Sequence, residues 1–200
     1  MSGLERVHQA YVTQRRVRIL AHELADLLPP AASVLDVGCG DGTLARSLGL
    51  LRPDLEIRGT DVLLRPDAPI EITEYDGLNL EEQDGSVDVV LMVDTIHHSE
   101  DPTQLLAEAR RVARANVVIK DHRRDGLFAE PTLRFMDRVG NARHGVALPY
   151  TYWSEAEWRE QWGHHALQVE VFRVGLHLYP FPFSLVFDRG LHFLARLGID

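Results

Sequence analysis

The chain has a single cysteine, Cys39, in 200 residues, which excludes an internal disulfide and any cysteine-based metal site; no metal is expected. It has no apolar run of the ~18 residues that reads as a membrane span. Its N-terminus also lacks a signal-peptide pattern, so a cytoplasmic protein without stable membrane insertion is expected. Basic residues are in deficit: 21 Lys and Arg against 30 Asp and Glu leave a net charge of −9, with no Lys/Arg-rich block. Duplex nucleic acid needs a basic footprint and is therefore not an expected partner, whereas a small or carrier-bound substrate stays open. Repeats, low-complexity tracts and linkers are absent too, and residues 1–200 read as one domain long enough to bury a core.

What the chain does have is a string of unusual information content at residues 34–45. A short apolar run, Val34-Leu35-Asp36-Val37, leads into Gly38-x-Gly40-x-Gly42 and then the start of a helix. Strand, tight glycine turn and helix N-terminus together make a nucleotide-type site, because unpaired N–H groups face the ligand. A dinucleotide fold would need G-x-G-x-x-G, but Thr43 stands at the place of the third glycine. A P-loop Gly-Lys-Ser/Thr is missing as well. Asp36 and Asp41 would repel a pyrophosphate, whereas a ligand carrying an ammonium and a sulfonium would welcome a carboxylate. Cys39, inside the loop, reads as a small filler.

This string resembles the first motif of class I S-adenosylmethionine (SAM)-dependent methyltransferases, in the small-molecule group that includes ubiquinone- and menaquinone-biosynthesis enzymes. The likeness extends over residues 34–120 in the right order. Asp61, in Gly59-Thr60-Asp61-Val62, is an acid at a strand end suited to the two ribose hydroxyls. Asp76, in Tyr75-Asp76-Gly77, resembles the family acid that meets the adenine amino group, although Asp-Gly is also an ordinary turn. Asp84-Gly85-Ser86-Val87-Asp88 is similar to the run into the family's fourth strand, which ends at Val93-Asp94-Thr95. The resemblance implies SAM as cofactor, with Asp36, Gly38, Cys39, Gly40, Asp61, Val62, Asp76, Gly77, Asp94 and Thr95 around it.

Hydrophobic periodicity predicts a helix over 4–28, stopped by Pro29-Pro30, which makes residues 1–30 a helical cap. Strands follow at Val34–Val37, Ile57–Asp61, Ile70–Tyr75, Val87–Val93 and Val117–Lys120, alternating with helices from Gly42 and from Asp101-Pro102. Ser154-x-x-Glu157, with Trp153 and Trp158 as a hydrophobic staple, sets a helix from Glu155. Late strands are expected near Leu167–Val174 and Leu191–Leu197. The expected fold is α/β: a Rossmann-like doubly wound sheet with helices on both faces. The resemblance implies seven strands, mostly parallel, with the last one antiparallel.

The acceptor side is less legible. Ligands in such sheets bind at the carboxyl ends of the strands, and three groups of polar residues fall there. His97 and His98 follow the fourth strand, and Lys120-Asp121-His122 ends the fifth, so His97, His98 and His122 are the candidates for a general base. Strand alternation would let at most one of Asp121 and His122 face the pocket. Residues 123–153 read as a substrate-lid insertion, with Asn141, Arg143, His144, Tyr150, Tyr152 and Trp153 as substrate-binding candidates. Residues 175–187 are strongly apolar and carry two prolines that forbid a central strand. A homodimer contact ranks first for that segment, a pocket wall second and a membrane-facing patch third, since no Lys/Arg-rich block flanks it. The reading is a SAM-dependent methyltransferase of a small molecule, with O, N or C as acceptor atom. A SAM-binding regulatory protein without catalysis is the alternative, and Thr43 disfavours a nicotinamide-dependent oxidoreductase.

Overall fold

A computed structural model describes residues 3–141 and 149–199. The order is α1 (Gly3–Ala25), β1 (Ser33–Val37), α2 (Thr43–Leu51), β2 (Glu56–Asp61), β3 (Ile72–Glu74), β4 (Val87–Val93) and α3 (Pro102–Val112). It continues with β5 (Ala113–His122), α4 (Ala129–Asn141), α5 (Glu155–His164), β6 (Leu167–Val174), α6 (Ser184–Phe187) and β7 (His192–Ile199). The strands form one seven-stranded sheet in the order β3-β2-β1-β4-β5-β7-β6. β7 runs antiparallel to both β5 and β6, and the pairings among β1 to β5 are parallel. The expected α/β sheet with one antiparallel strand is what forms. The third strand is shorter than the apolar run at 70–75 suggested.

Alternation along β1 and β4 sends apolar side chains to both faces, as in a sheet covered twice. Leu35, Val37, Val90 and Met92 pack with Leu105, Leu106 and Ala109 of α3 and with Trp158 and Trp162 of α5. Val34, Val89 and Leu91 pack on the other face with Leu20 and Leu24 of α1 and Leu48 of α2. The N-terminal helix is therefore a layer of the core. α5 begins with the capping box foreseen at Ser154 and Glu157, each bonding the other's backbone N–H. Trp153 meets Trp158 edge-on at 4.7 Å, completing the staple. The order reverses between β1 and β4, so the carboxyl ends of these strands open a crevice in which β1 leads to the glycine loop.

Candidate functional site

The glycine loop is shaped by backbone geometry that only some of its positions demand sterically. Gly38 has φ 71°, and an added Cβ would lie 2.5 Å from Thr95 Cγ2. Gly40 has φ 62°, yet its Cβ would meet nothing within 4 Å, so the space beside it is open for a ligand. Thr95 donates from Oγ1 to the Val37 carbonyl at 3.0 Å, locking the end of β4 against the loop. Asp61 holds the loop from the other side: Oδ2 accepts from Gly40 N–H at 2.8 Å and Oδ1 from Leu63 N–H at 3.0 Å. Val62 is half exposed and lies against Gly77, where an added Cβ would approach it to 3.3 Å. The predicted cofactor residues on four separate segments thus make one crescent around the loop.

Two of those residues behave differently from a simple ligand contact. Asp76 is exposed and turns inward on its own segment, accepting from Leu78 N–H, Asn79 N–H and Asn79 Nδ2. Cys39 packs against Gly59, whose added Cβ would fall 2.5 Å from Sγ. Burial, with Asp36 and Asp61 nearby, pushes the Cys39 thiol well above its ordinary value, so it stays protonated and fills space. Asp36 is buried at the end of β1; burial, and then the Asp61 carboxylate, push its pKa up to about 7.

Beside the loop, at the ends of β4 and β5, lies a buried polar cluster. Asp94 has φ 56° and forms ion pairs with Lys120 of β5 and Arg16 of α1. Burial works against its charge, but Lys120 and Arg16 hold its carboxyl well below the usual range. His97 Nδ1 lies 2.5 Å from Asp121 Oδ1, and its Nε2 lies 3.5 Å from Asp137 Oδ2 on α4. Burial opposes an imidazolium there, yet Asp121 and Asp137 outweigh it and raise the pKa of His97 to about 10. His122 goes the other way: burial, then the Lys120 ammonium, lower it, so its ring is neutral. Its Nδ1 is buried without a hydrogen-bond partner, 3.5 Å from Asp121 Oδ1 and 3.7 Å from Asp94 Oδ1. Burial and the charged His97 bring His98 down to about 4.

Alternation holds along β5, but it does not separate Asp121 from His122 as expected. The strand ends at His122, and the two side chains meet around its tip, where the His97 and His122 rings stand 4.6 Å apart. Of the candidates between 123 and 153, Tyr152 stacks on His97 at 5.7 Å and donates to Asp137, and Tyr150 meets His98 edge-on at 6.0 Å. Trp153 turns instead onto Trp158 and the core. Arg143 and His144 lie outside the described residues, as does the side chain of Asn141, which ends α4. Arg16, Asp137 and His192 were missed. Arg16 lies one turn before Leu20, and Asp137 one turn after Leu133, both on buried stripes. An acid or base on an apolar helical stripe was the available signal. His97, Asp121 and His122 have donor atoms close enough for a divalent cation. The 2.5 Å contact between His97 and Asp121 is a hydrogen bond, and Lys120 supplies positive charge nearby; the trio fits a proton better than a metal.

The match to known proteins agrees with this geometry. Residues 8–177 fit a family model described as a methyltransferase domain. The chain belongs to that family. A 2-methyl-6-phytyl-1,4-hydroquinone methyltransferase of Synechocystis sp. is 28% identical over 155 residues, 70% of this chain and 43% of that protein. The chain spans less than half the length of the curated relatives it matches. Among solved structures, a SAM-dependent methyltransferase of Thermotoga maritima superposes with a TM-score of 0.69 at 17% identity, covering 99% of this chain and 96% of that one. Geranyl diphosphate C-methyltransferase of Streptomyces coelicolor, solved with Mg2+, geranyl diphosphate and S-adenosyl-L-homocysteine, gives 0.68 at 14%, over 90% and 80%. Membership of the methyltransferase family makes SAM the cofactor, and the open space at Gly40 with half-exposed Val62 and Leu63 beside it suits a nucleoside. Among the described residues, no helix is long and apolar enough to cross a membrane.

Proposed function

We propose that this methyltransferase acts on a small organic acceptor that loses a proton at the buried cluster, at a hydroxyl or at a carbon activated by an ionised hydroxyl. The observation that carries the reading is a pair of buried histidines in one cluster with opposite surroundings: His97 lies between the carboxylates of Asp121 and Asp137, which raise its pKa, whereas burial and Lys120 lower that of His122, whose Nδ1 has no hydrogen-bond partner. Neighbouring groups whose environments push their pKa values apart mark acid and base roles. The named activity of the Synechocystis relative, on a hydroquinone, is of the same chemical kind.

Bound SAM supplies an activated methyl group on a sulfonium, so the chain's own task is alignment and proton removal. Gly38, Gly40, Asp61, Val62 and Gly77 would hold the nucleoside, with the Asp61 lone pairs left over from the loop directed to the ribose. Asp36 sits beneath the loop, where a cationic group favours its ionised form. His122 takes the proton; Asp121, which accepts from the His122 backbone N–H, fixes the end of the strand that carries it, and His97 balances the charge of Asp121. Tyr150 and Tyr152, with α4 behind them, form the lid that excludes water. His122→Gln should lower kcat by about 10²-fold or more, the usual worth of a general base, with SAM affinity within about twofold. Turnover is read with labelled SAM against a small-molecule extract, and a product heavier by one methyl group identifies the acceptor. An unchanged kcat in His122→Gln would remove the base assignment. Tight SAM binding with no product from wild type would favour a regulatory protein.

A further inference from the structure

The fold gathers one exposed face that the acceptor chemistry does not use. Leu127, Phe128 and Phe135, at the start and on the outer side of α4, are 79, 67 and 56% exposed. Phe181, Leu185 and Val186, around α6, are 79, 64 and 47% exposed. The two groups are one surface: Phe135 stacks on Phe187 at 6.4 Å, and Arg189 reaches from beside α6 to the Leu127 carbonyl and the Thr132 hydroxyl. Soluble monomers rarely leave so many large apolar side chains together in water.

The charges beside that face decide what covers it. Along α4, Arg134 and Arg138 form an exposed row next to Phe135 and Val139, and Arg189 stands at the α6 end. Arg134 is paired with Glu130, whereas the contacts of Arg189 are all to uncharged oxygens. Three arginines thus border the apolar face, with Glu130 and the half-buried Asp188 as the acids beside it, on a chain of net charge −9. Sequence order hides it, because α4 lies far from residues 175–187 along the chain. A second copy on this face, in a two-fold contact, would set arginine against arginine. An anionic lipid surface matches both features at once.

We propose that the α4–α6 face docks this protein peripherally on an anionic lipid surface. The face also leads inward: Phe187 meets Tyr179 at 5.4 Å, and Tyr179 meets His192, beside His122, at 5.9 Å. A lipid-dissolved acceptor would reach the cluster along that wall, a consequence that rests on the proton-abstraction reading; the docking itself does not. The test is flotation of the full chain with vesicles of phosphatidylcholine alone and of phosphatidylcholine with phosphatidylglycerol. Binding is expected to the anionic vesicles, weakening with salt and by about fivefold for Arg138→Gln. The double variant Phe181→Ser with Leu185→Ser should lose at least about tenfold while keeping the SAM affinity and unfolding midpoint of wild type. Three results would overturn the proposal: no flotation of wild type with anionic vesicles, equal flotation of the double variant, or a wild-type dimer in light scattering that the double variant splits.

Discussion

Replacing Asp121 with Asn removes one negative charge from the centre of the histidine cluster and leaves the side chain's shape nearly intact. Asp121 is fully buried, accepting from His97 at 2.5 Å and from the His122 N–H at 2.7 Å. Taking one partner from a buried ion pair costs about 3–5 kcal/mol, because the other charge is left uncompensated. The cost should depend on pH in a defined direction. In the folded protein the pKa of His97 is raised to about 10 from its ordinary 6.5, so its stabilisation is complete below pH 6.5 and is lost as pH rises toward 10. Asp121 is depressed, so its own contribution is present above its ordinary 3.8 and is lost on acidification. The variant should therefore be most destabilised at about pH 5–6.5, by about 3–5 kcal/mol or on the order of 10 °C in a domain of this size. Near pH 10 His97 is half titrated in wild type and little of its charge contribution is left, so the difference should shrink toward the about 1.5–3 kcal/mol of a hydrogen bond to a charged acceptor. The assay is urea unfolding of both proteins from pH 5 to 10, with the His97 ring followed by NMR. Burial opposes the charge and only Asp137, 3.5 Å from Nε2, still supports it in the variant, so His97 should titrate below 10 there. Two parallel stability curves, or an unmoved His97 titration, would refute the charge-pair reading.

Asp61→Ala removes the acceptor of Gly40 and Leu63 together with the proposed ribose contact, and calorimetry should show SAM affinity falling more than about tenfold; unchanged affinity would defeat the cofactor assignment. SAM affinity should itself fall by up to about tenfold per unit as pH drops below 7, because Asp36 titrates at about 7 and a cation favours its ionised form; Asp36→Asn should flatten that profile. Gly38→Ala combines a positive φ with a 2.5 Å approach to Thr95, whereas Gly40→Ala carries the φ alone. The second should cost about 1–2 kcal/mol and the first clearly more, and equal unfolding midpoints would show that Thr95 yields freely.

The glycine loop was legible because its geometry is written in contiguous residues. Gly38, Gly40 and Gly42 announce a positive-φ loop, and Asp61 stands at a strand end that its apolar run predicts. The capping box at Ser154 and the staple of Trp153 and Trp158 were local in the same sense. Trp153, a substrate-contact candidate as well, is partly buried against the core.

The acceptor side was legible only as a set of candidates, because its charges come from distant parts of the chain. Sequence alone determined the strand–glycine–helix unit, the alternating α/β order and the presence of histidines at two strand ends, since each depends on neighbours within a few residues. Only the tertiary structure decided that His97 is held charged between Asp121 and Asp137 while His122 is neutral beside Lys120. It also decided that Arg16 of the first helix closes on Asp94 and that the arginines of α4 border the apolar residues of α6. Protonation and surface character follow from burial and from charges a few ångströms away, and those distances are set by packing rather than by position along the chain.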